Sequence, residues 1–190
     1  LMDVVRGGRI GDVTRIDSVF TFRLDDRGEI PASAALAGGA LMDVGCYCVE
    51  FSRRIAGREP DGVSALARRT SVDDTLCGQL AFGDGPIATF ACSIESFERQ
   101  GATILGTLGE VRIPAPWLQG TGPVRFEVCR EDGVEVVEVP GADAYALEVA
   151  DFVAACREGH APRWTLDDAV RNARVMDALA GAARGIRSST

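Results

Sequence analysis

The sequence predicts an α+β fold, in which a mainly antiparallel, open-faced β-sheet carries helices packed on one face. Short segments of alternating apolar and polar residues follow one another between residues 62 and 139. Helical patterns flank this block on both sides, in 38–57 and in 143–184. The 22 glycines among 190 residues favour a loop-rich mixed fold over a helical bundle. A chain of this length can form one domain with its own core.

The first elements are a strand and a helix. Residues 12–24 alternate between apolar and polar side chains and are rich in β-branched and aromatic types, which is typical of a half-buried strand. The spacing in 38–57 predicts a helix that Gly57 ends. One face of this helix collects four apolar residues: Val44, Cys48, Phe51 and Ile55. We expect this face to be buried.

The next block contains seven predicted strands joined by short connections. They are 63–69, 75–82, 87–94, 102–106, 110–113, 124–129 and 134–139. Turn sequences at 83–86 and 131–133 favour hairpins, which join antiparallel neighbours. Two helical patterns, 143–158 and 166–184, close the chain. Their predicted inward residues are Tyr145, Val149, Phe152, Val153 and Cys156 in the first, and Leu166, Val170, Ala173, Met176 and Leu179 in the second.

The composition excludes several classes of function. The formal net charge of -8 would repel nucleic acid, so we expect no nucleic-acid partner. All 20 basic residues are arginine, which excludes a lysine Schiff base or a Walker lysine within the chain. A single histidine, His160, and six scattered cysteines do not form a metal-binding pattern, so no metal site is predicted.

Cysteine usage and hydropathy bear on the location of the protein. The cysteines lie in apolar runs, as small buried residues of a reducing compartment do, so we expect a cytoplasmic protein. We identify no apolar run close to the ~20 residues that a membrane span needs, and no membrane partner is expected. The chain opens in the middle of a pattern at Leu1, which indicates that a further segment precedes it.

Two polar residues of the first predicted helix could act together on a ligand. Asp43 and Tyr47 lie four residues apart, so their side chains project roughly 40° apart around a helix axis. A tyrosine with a pKa of about 10 needs a nearby cation before it can act as an acid or base at neutral pH. A structural explanation is also open, because Asp43 would favour the helix dipole and Tyr47 would fill a half-buried gap.

A few neighbouring positions could border such a site. Gly38 and Gly39 allow close approach of the backbone just before the helix. Trp117 lies in a loop beside prolines, where it either walls a pocket or packs in an interface. Arg99 and Gln100 could contact a polar ligand, although a solvated strand edge is the expected arrangement.

Residues 37–49, AGGALMDVGCYCV, resemble the signature helix of the glucose-fructose oxidoreductase and myo-inositol dehydrogenase family (Gfo/Idh/MocA). Other landmarks of the family agree in order: the start of its second domain at 9–13, its central turn at 104–114, and its closing helices at 145–152, Pro162, Asp168, Asn172 and Asp177. The tyrosine at position 47 resembles the branch that holds glucose-fructose oxidoreductase, xylose dehydrogenases and dimeric dihydrodiol dehydrogenases.

The resemblance implies a fold, a cofactor and a set of site residues. Residues 1–190 would form one substrate-binding and oligomerisation domain with the fold of a glyceraldehyde-3-phosphate dehydrogenase-like C-terminal domain. NADP or NAD would be bound mainly by an N-terminal Rossmann domain, whose glycine fingerprint and Glu-Lys-Pro motif this chain lacks. Tyr47 would be the catalytic proton donor or acceptor, and Asp43 would orient the substrate. Gly39 and Trp117 would contact the substrate beside them.

These implications lead to one functional expectation and one alternative. The chain would be the substrate-binding domain of an NAD(P)-dependent oxidoreductase that transfers a hydride between nicotinamide and a sugar, polyol or dihydrodiol, and it would be inactive in isolation. The open face of the sheet would join copies into a homo-oligomer. The alternative is a non-catalytic oligomerisation or interaction module derived from the same family.

Overall fold

The computed structural model describes residues 1–26 and 28–183. Within them, the helices are α1 (Met2–Arg6), α2 (Cys46–Ala56), α3 (Ala144–Glu158) and α4 (Leu166–Ala183). The strands are β1 (Val13–Arg23), β2 (Gly62–Arg69), β3 (Asp73–Ala81), β4 (Ile87–Ser93), β5 (Glu95–Gly106), β6 (Gly109–Ile113), β7 (Val124–Arg130) and β8 (Gly133–Val139). The last residue of the second closing helix pattern, 184, lies outside the described residues.

All eight strands join one sheet in the order β2-β3-β4-β1-β5-β6-β7-β8. Six of the seven described strand pairs are antiparallel, and β1 and β4 run parallel. Parallel neighbours need a long connection. Here the chain passes through α2 and the β2-β3 hairpin before β4 returns beside β1. The predicted mainly antiparallel α+β class is therefore confirmed.

The core lies between the sheet and the helices on one of its faces. α2 packs on β1 and β4, and α4 packs on β2. Ile16 of β1 and Leu76 of β3 are fully buried in this layer, together with Cys48 and Val49 of α2. Alternate residues of a strand point to opposite faces, so the pattern of β1 places its apolar residues under α2.

The helix predicted over 38–57 begins irregularly. Leu41–Gly45 is a π-helical turn, and the regular helix α2 starts only at Cys46. A π turn is wider than an α turn and changes the rotation of the residues that follow, and such turns often occur at functional sites. Gly45 lets this turn lie directly on β4, because a Cβ at Gly45 would stand 2.9 Å from the Cys92 Sγ.

The burial predicted for α3 is wrong. Of its predicted inward residues, Tyr145 is 79% exposed and Phe152 is 62% exposed, while Ala155 is the one buried residue of the helix. In α4, Leu179 is buried as predicted, but Leu166 is 85% exposed. Five more residues predicted to face inward are also exposed: Val149, Val153, Cys156, Val170 and Ala173. Periodicity identifies the apolar face of a helix, but burial also requires an apolar surface opposite that face.

One described segment meets the length and hydropathy criteria of a membrane-crossing helix, contrary to the expectation from the sequence. Ala34–Ala56 spans 23 residues with a hydropathy of 1.3. In the structure this segment is divided into a 3-10 turn, the π turn and α2, and it places Val44, Cys48 and Ile55 in the core. A core helix of a globular domain meets the same two criteria, so they do not distinguish it from a membrane span.

The face of the sheet opposite the helices is open. Across its centre, the register aligns Val19 of β1 with Ala91 of β4 and Gly101 of β5. Charged pairs also lie on this face: Arg15 with Asp17, Arg112 with Glu110, and Arg125 with Glu138. The open face is therefore a mixed surface with small side chains at its centre.

Candidate functional site

Asp43 and Tyr47 lie on neighbouring turns and remain accessible to a ligand. Asp43 belongs to the π turn and is half-buried, whereas Tyr47, in the first turn of α2, is 49% exposed. Within residues 1–26 and 28–183, neither the Asp43 carboxylate nor the Tyr47 hydroxyl has a hydrogen-bond or ion-pair partner. A polar group that the protein leaves unpaired at its surface is free to bind a substrate hydroxyl.

Tyr47 belongs to a group of four aromatic rings, here called the aromatic cluster (Phe20, Tyr47, Phe51 and Trp117). The Tyr47 ring packs edge-on against Phe20, with 5.6 Å between ring centroids, and lies 6.3 Å from the Trp117 ring. Phe51 meets Trp117 edge-to-face at 5.5 Å, and Phe20 stacks with Trp117 at 6.2 Å. Such pairs each contribute about 0.5–1.5 kcal/mol beyond the burial of their area. The cluster therefore holds the Tyr47 ring while its hydroxyl stays free.

Trp117 is fixed at two points. Its indole Nε1–H donates a hydrogen bond to the carbonyl oxygen of Val19 at 3.2 Å. Its backbone N–H donates to the side-chain Oε1 of Gln100 at 3.1 Å. The loop between β6 and β7 thus folds back over the helix-bearing face of the sheet and places Trp117 beside Tyr47. Phe20, Phe51 and Gln100 had not been predicted to hold this site.

The surroundings of Tyr47 within the described residues do not lower its pKa toward neutral pH, as acid-base chemistry would require. Burial raises the pKa of the Asp43 carboxyl above its ordinary value. Burial, followed by nearby ionisable groups, also raises the pKa of the Tyr47 hydroxyl. Each of the main influences on this pKa raises it: burial first, then Cys46, Tyr145, Asp43 and Glu148. A nearby cation is what lowers a phenol pKa, so any acid-base role of Tyr47 requires a cation supplied from elsewhere.

The backbone conformation and close packing at position 39 require a glycine. Its φ is +124°, and a Cβ there would stand 2.2 Å from the Asp73 Oδ1. The other oxygen of Asp73 accepts a hydrogen bond from the backbone N–H of Leu41 at 2.8 Å, and the carbonyl of Gly39 accepts one from the N–H of Asp43 at 3.0 Å. Asp73, which had not been singled out in the sequence, therefore anchors the turn that carries Asp43.

The far end of α2 is tied to α4 by a buried arginine. The side chain of Arg53 is only 3% exposed. Its guanidinium donates hydrogen bonds of 2.8 Å to each carboxylate oxygen of Glu59, one of 2.7 Å to Glu50 and one of 3.1 Å to Asp168. Beside it, the Arg54 guanidinium lies 3.2 Å from the ring centre of Trp164. This network holds the helix that bears Tyr47 against α4.

The grooves of the described residues do not enclose the candidate pair. One of about 720 Å³ lies between the β5-β6 and β7-β8 turns, and another of about 640 Å³ runs between α2 and α4. The second groove includes Met42, which adjoins Asp43 in the chain, but neither groove includes Asp43 or Tyr47. Asp43 and Tyr47 therefore lie outside both of these grooves, and Tyr47 is half-exposed.

Comparison with known proteins identifies the family. A family profile described as the GFO/IDH/MocA C-terminal domain matches residues 1–112. The chain belongs to the GFO/IDH/MocA family. Over 188 residues it is 30% identical to a dTDP-3,4-didehydro-2,6-dideoxy-alpha-D-glucose 3-reductase of Streptomyces antibioticus, covering 96% of this chain and 57% of the relative. Over 175 residues it is 31% identical to a D-xylose 1-dehydrogenase (NADP(+)) of Haloferax volcanii, covering 90% of this chain and 54% of the relative.

Solved structures of other proteins superpose on this GFO/IDH/MocA chain and have the same fold. A 3-ketoreductase from Actinomadura kijaniata, crystallised with NADP and TDP-benzene, superposes with a TM-score of 0.89 at 23% identity over 95% of this chain and 57% of that one. An aldose-aldose oxidoreductase from Caulobacter crescentus superposes with a TM-score of 0.84 at 26% identity, over 98% of this chain and 58% of that one. The chain spans little more than half the length of the relatives it matches.

Proposed function

We propose that this chain is the substrate-binding domain of an NAD(P)-dependent oxidoreductase that acts on a sugar, polyol or dihydrodiol. The observation that carries the proposal is the free Asp43–Tyr47 pair, which is half-exposed beside Trp117 and unpaired within the described residues. The names of the relatives agree with it: they denote a reductase of a dTDP-sugar, a xylose dehydrogenase that uses NADP and a trans-1,2-dihydrobenzene-1,2-diol dehydrogenase.

In this proposal Tyr47 transfers a proton and Asp43 orients the substrate. Tyr47 accepts the proton of the reacting hydroxyl when the substrate is oxidised, and it donates that proton to the carbonyl oxygen when the substrate is reduced. Asp43 accepts a hydrogen bond from a neighbouring hydroxyl and so orients the reacting carbon. Trp117 offers an apolar wall to the carbon face of a sugar or diol. A bound nicotinamide supplies or accepts the hydride.

We place the nicotinamide cofactor mainly on a separate Rossmann domain. Within the described residues, Gly7, Gly8 and Gly11 precede β1 instead of following a strand, so they do not form a dinucleotide-binding turn. The chain has no lysine, and the pKa of Tyr47 is raised. A cation from that separate domain would lower this pKa and complete the site. The 190-residue chain alone is therefore expected to be inactive.

The proposal is tested by Tyr47→Phe in the longest protein that contains this chain, assayed on aldoses, polyols and dihydrodiols with both nicotinamides. Loss of the hydroxyl should lower kcat by about 10²-fold or more, because general acid-base catalysis contributes roughly that factor. Tyr145→Phe removes the other phenol of the chain, which lies outside the aromatic cluster. When ionised, Tyr145 is one of the groups that raise the pKa of Tyr47, so this variant should change kcat far less than Tyr47→Phe does. Unchanged turnover in Tyr47→Phe would exclude the proposed role.

We propose further that the open sheet face joins copies of the protein. The small residues Val19, Ala91 and Gly101 at its centre allow a second sheet to approach closely. Leu66 and Ile87, on the same half of the sheet, are 61% and 56% exposed and would be covered by such contact. Analytical ultracentrifugation at micromolar concentration tests this, since a protein that sediments only as a monomer would contradict it.

We propose a cytoplasmic location. All six cysteines are free in the described residues, as in a reducing compartment. Burial is the main cause that raises the pKa of the Cys46 thiol to about 11 and that of Cys48 to about 12, so these two thiols are poor nucleophiles. Fractionation of the native cells tests the location, and recovery of the protein outside the cytoplasm would contradict it.

A further inference from the structure

The side chain of Gln100 binds the loop that carries Trp117. Its Oε1 accepts hydrogen bonds from two consecutive backbone N–H groups, those of Trp117 at 3.1 Å and Leu118 at 3.0 Å. Its Nε2 donates to the carbonyl of Leu118 at 3.4 Å. Gln100 is therefore not part of a solvated edge: it pairs with Phe20 of β1 on one side, and its side chain binds this loop.

The position of Gln100 in the sheet connects this loop with the aromatic cluster. Gln100 lies directly opposite Phe20 of β1, and directly opposite residues of an antiparallel pair share one face of the sheet. The loop therefore meets Gln100 on the same face on which Phe20 packs against Tyr47 and Trp117. Without the amide of Gln100, Trp117 would keep only its indole hydrogen bond to Val19 and its ring contacts.

The sequence of the loop explains why one side chain matters so much there. Pro114, Pro116 and Pro123 have no backbone N–H, so three of the ten residues in 114–123 cannot donate a backbone hydrogen bond to the sheet. No regular structure forms between Ile113 and Val124. The side chain of Gln100 accepts hydrogen bonds from two backbone donors of this segment, including that of Trp117 itself.

We propose that Gln100 is a positioning residue that sets the gap between the Trp117 wall and Tyr47, and thereby determines which substrates bind. This inference rests on the proposed function. Gln100 acts through its hydrogen bonds to the backbone of the loop. Its loss should therefore weaken substrate binding and leave the chemical step intact, so KM rises while kcat is kept.

Three substitutions separate hydrogen bonding from size. Gln100→Met keeps the length of the side chain but accepts no N–H, and Gln100→Asn keeps the amide but is one methylene shorter. Gln100→Glu keeps an oxygen that can accept both N–H groups but loses the donation to the Leu118 carbonyl, so it should stay closer to the wild type than the other two variants. Circular dichroism shows whether each variant folds, and the shorter Asn variant tests the inference if the Met variant does not.

The first measurement needs no activity. In protein labelled with 5-fluorotryptophan, the fluorine resonance of Trp117 is identified by its loss in Trp117→Phe. We expect this resonance to move toward the position of solvent-exposed fluorotryptophan in Gln100→Met and Gln100→Asn, and to move least in Gln100→Glu. An unmoved resonance in the Met and Asn variants would overturn the inference.

The second measurement is steady-state kinetics of the longest active protein. We expect KM to rise about tenfold in Gln100→Met with kcat within about twofold, the size expected when hydrogen bonds that order the loop are lost. A moved Trp117 resonance with an unchanged KM would overturn the link to substrate binding. If the protein shows no oxidoreductase activity but the Trp117 resonance still moves, the proposed function fails and the positioning of Trp117 by Gln100 stands.

Discussion

Replacement of Arg53 by methionine should destabilise the domain strongly. Methionine preserves most of the apolar stem but removes the guanidinium, which is buried and shared by Glu50, Glu59 and Asp168. Removing one partner of a buried ion pair costs about 3–5 kcal/mol, because the remaining charges lose their partner. All three carboxylates keep a second arginine: Arg54 pairs with Glu50 and Asp168, and Arg171 pairs with Glu59. We therefore expect a loss at the lower end of this range, about 3 kcal/mol.

The loss should appear as a lower melting temperature. For a domain of this size, 1 kcal/mol corresponds to roughly 2–4 °C, so thermal unfolding followed by circular dichroism should show a fall of about 6–12 °C. Arg58→Met is the matched control, because Arg58 pairs with Asp84 where their side chains are 52% and 94% exposed. Such exposed pairs contribute about 0–1 kcal/mol. Equal losses in the two variants would refute the reasoning from burial.

The effect should also depend on pH. The hydrogen bond from Arg53 is the main reason that the pKa of Glu59 is lower than usual. Burial acts to raise the pKa of Asp168, but Arg54 and Arg53 lower it overall. A carboxyl with a lowered pKa contributes stability above its unfolded pKa of about 4, and this contribution is lost as pH falls through the folded pKa. The difference between wild type and Arg53→Met should therefore be full at pH 7 and shrink below about pH 4.

Two further substitutions test the turn before Asp43 and the open face. Gly39→Ala should lower the melting temperature more than Gly8→Ala. Both residues have positive φ, but a new Cβ would collide with Asp73 at Gly39 and would have open space around it at Gly8. Equal losses of melting temperature in the two variants would contradict this. If the open face joins copies, Ala91→Arg should dissociate the oligomer in ultracentrifugation, since it places a charge at the centre of that face, while Ala182→Arg on α4 should not. An oligomer that survives Ala91→Arg would exclude this face as the interface.

Much of the architecture was predictable because it depends on local periodicity. The alternation in 12–24 predicted β1, and the hairpin turns predicted an antiparallel sheet. Both predictions were possible because the pattern of a strand or helix depends on residues that are close together in the sequence. The interval between Asp43 and Tyr47 likewise placed the two polar groups on neighbouring turns. The π turn was not predicted, because it depends on the close contact of Gly45 with β4.

The surroundings of the candidate site were not predictable in this way. Phe20 and Gln100 are 80 residues apart in number, and they meet only because β5 pairs with β1. Arg53 donates a hydrogen bond to Asp168, 115 residues away in the sequence, because α4 packs beside α2. These contacts depend on the order of strands in the sheet, which no local pattern contains.

By itself, the amino-acid sequence determined where helices and strands form, which side of each is apolar, and that a carboxylate and a phenol lie one turn apart. Tertiary structure alone decided which other parts of the chain contact these apolar sides and these two polar groups. The apolar side of α3 stays exposed within this chain, whereas Trp117 is brought onto Tyr47 by a loop that Gln100 holds. The physical reason is that periodicity is a property of neighbouring residues, whereas burial and site geometry require two distant segments to be in contact.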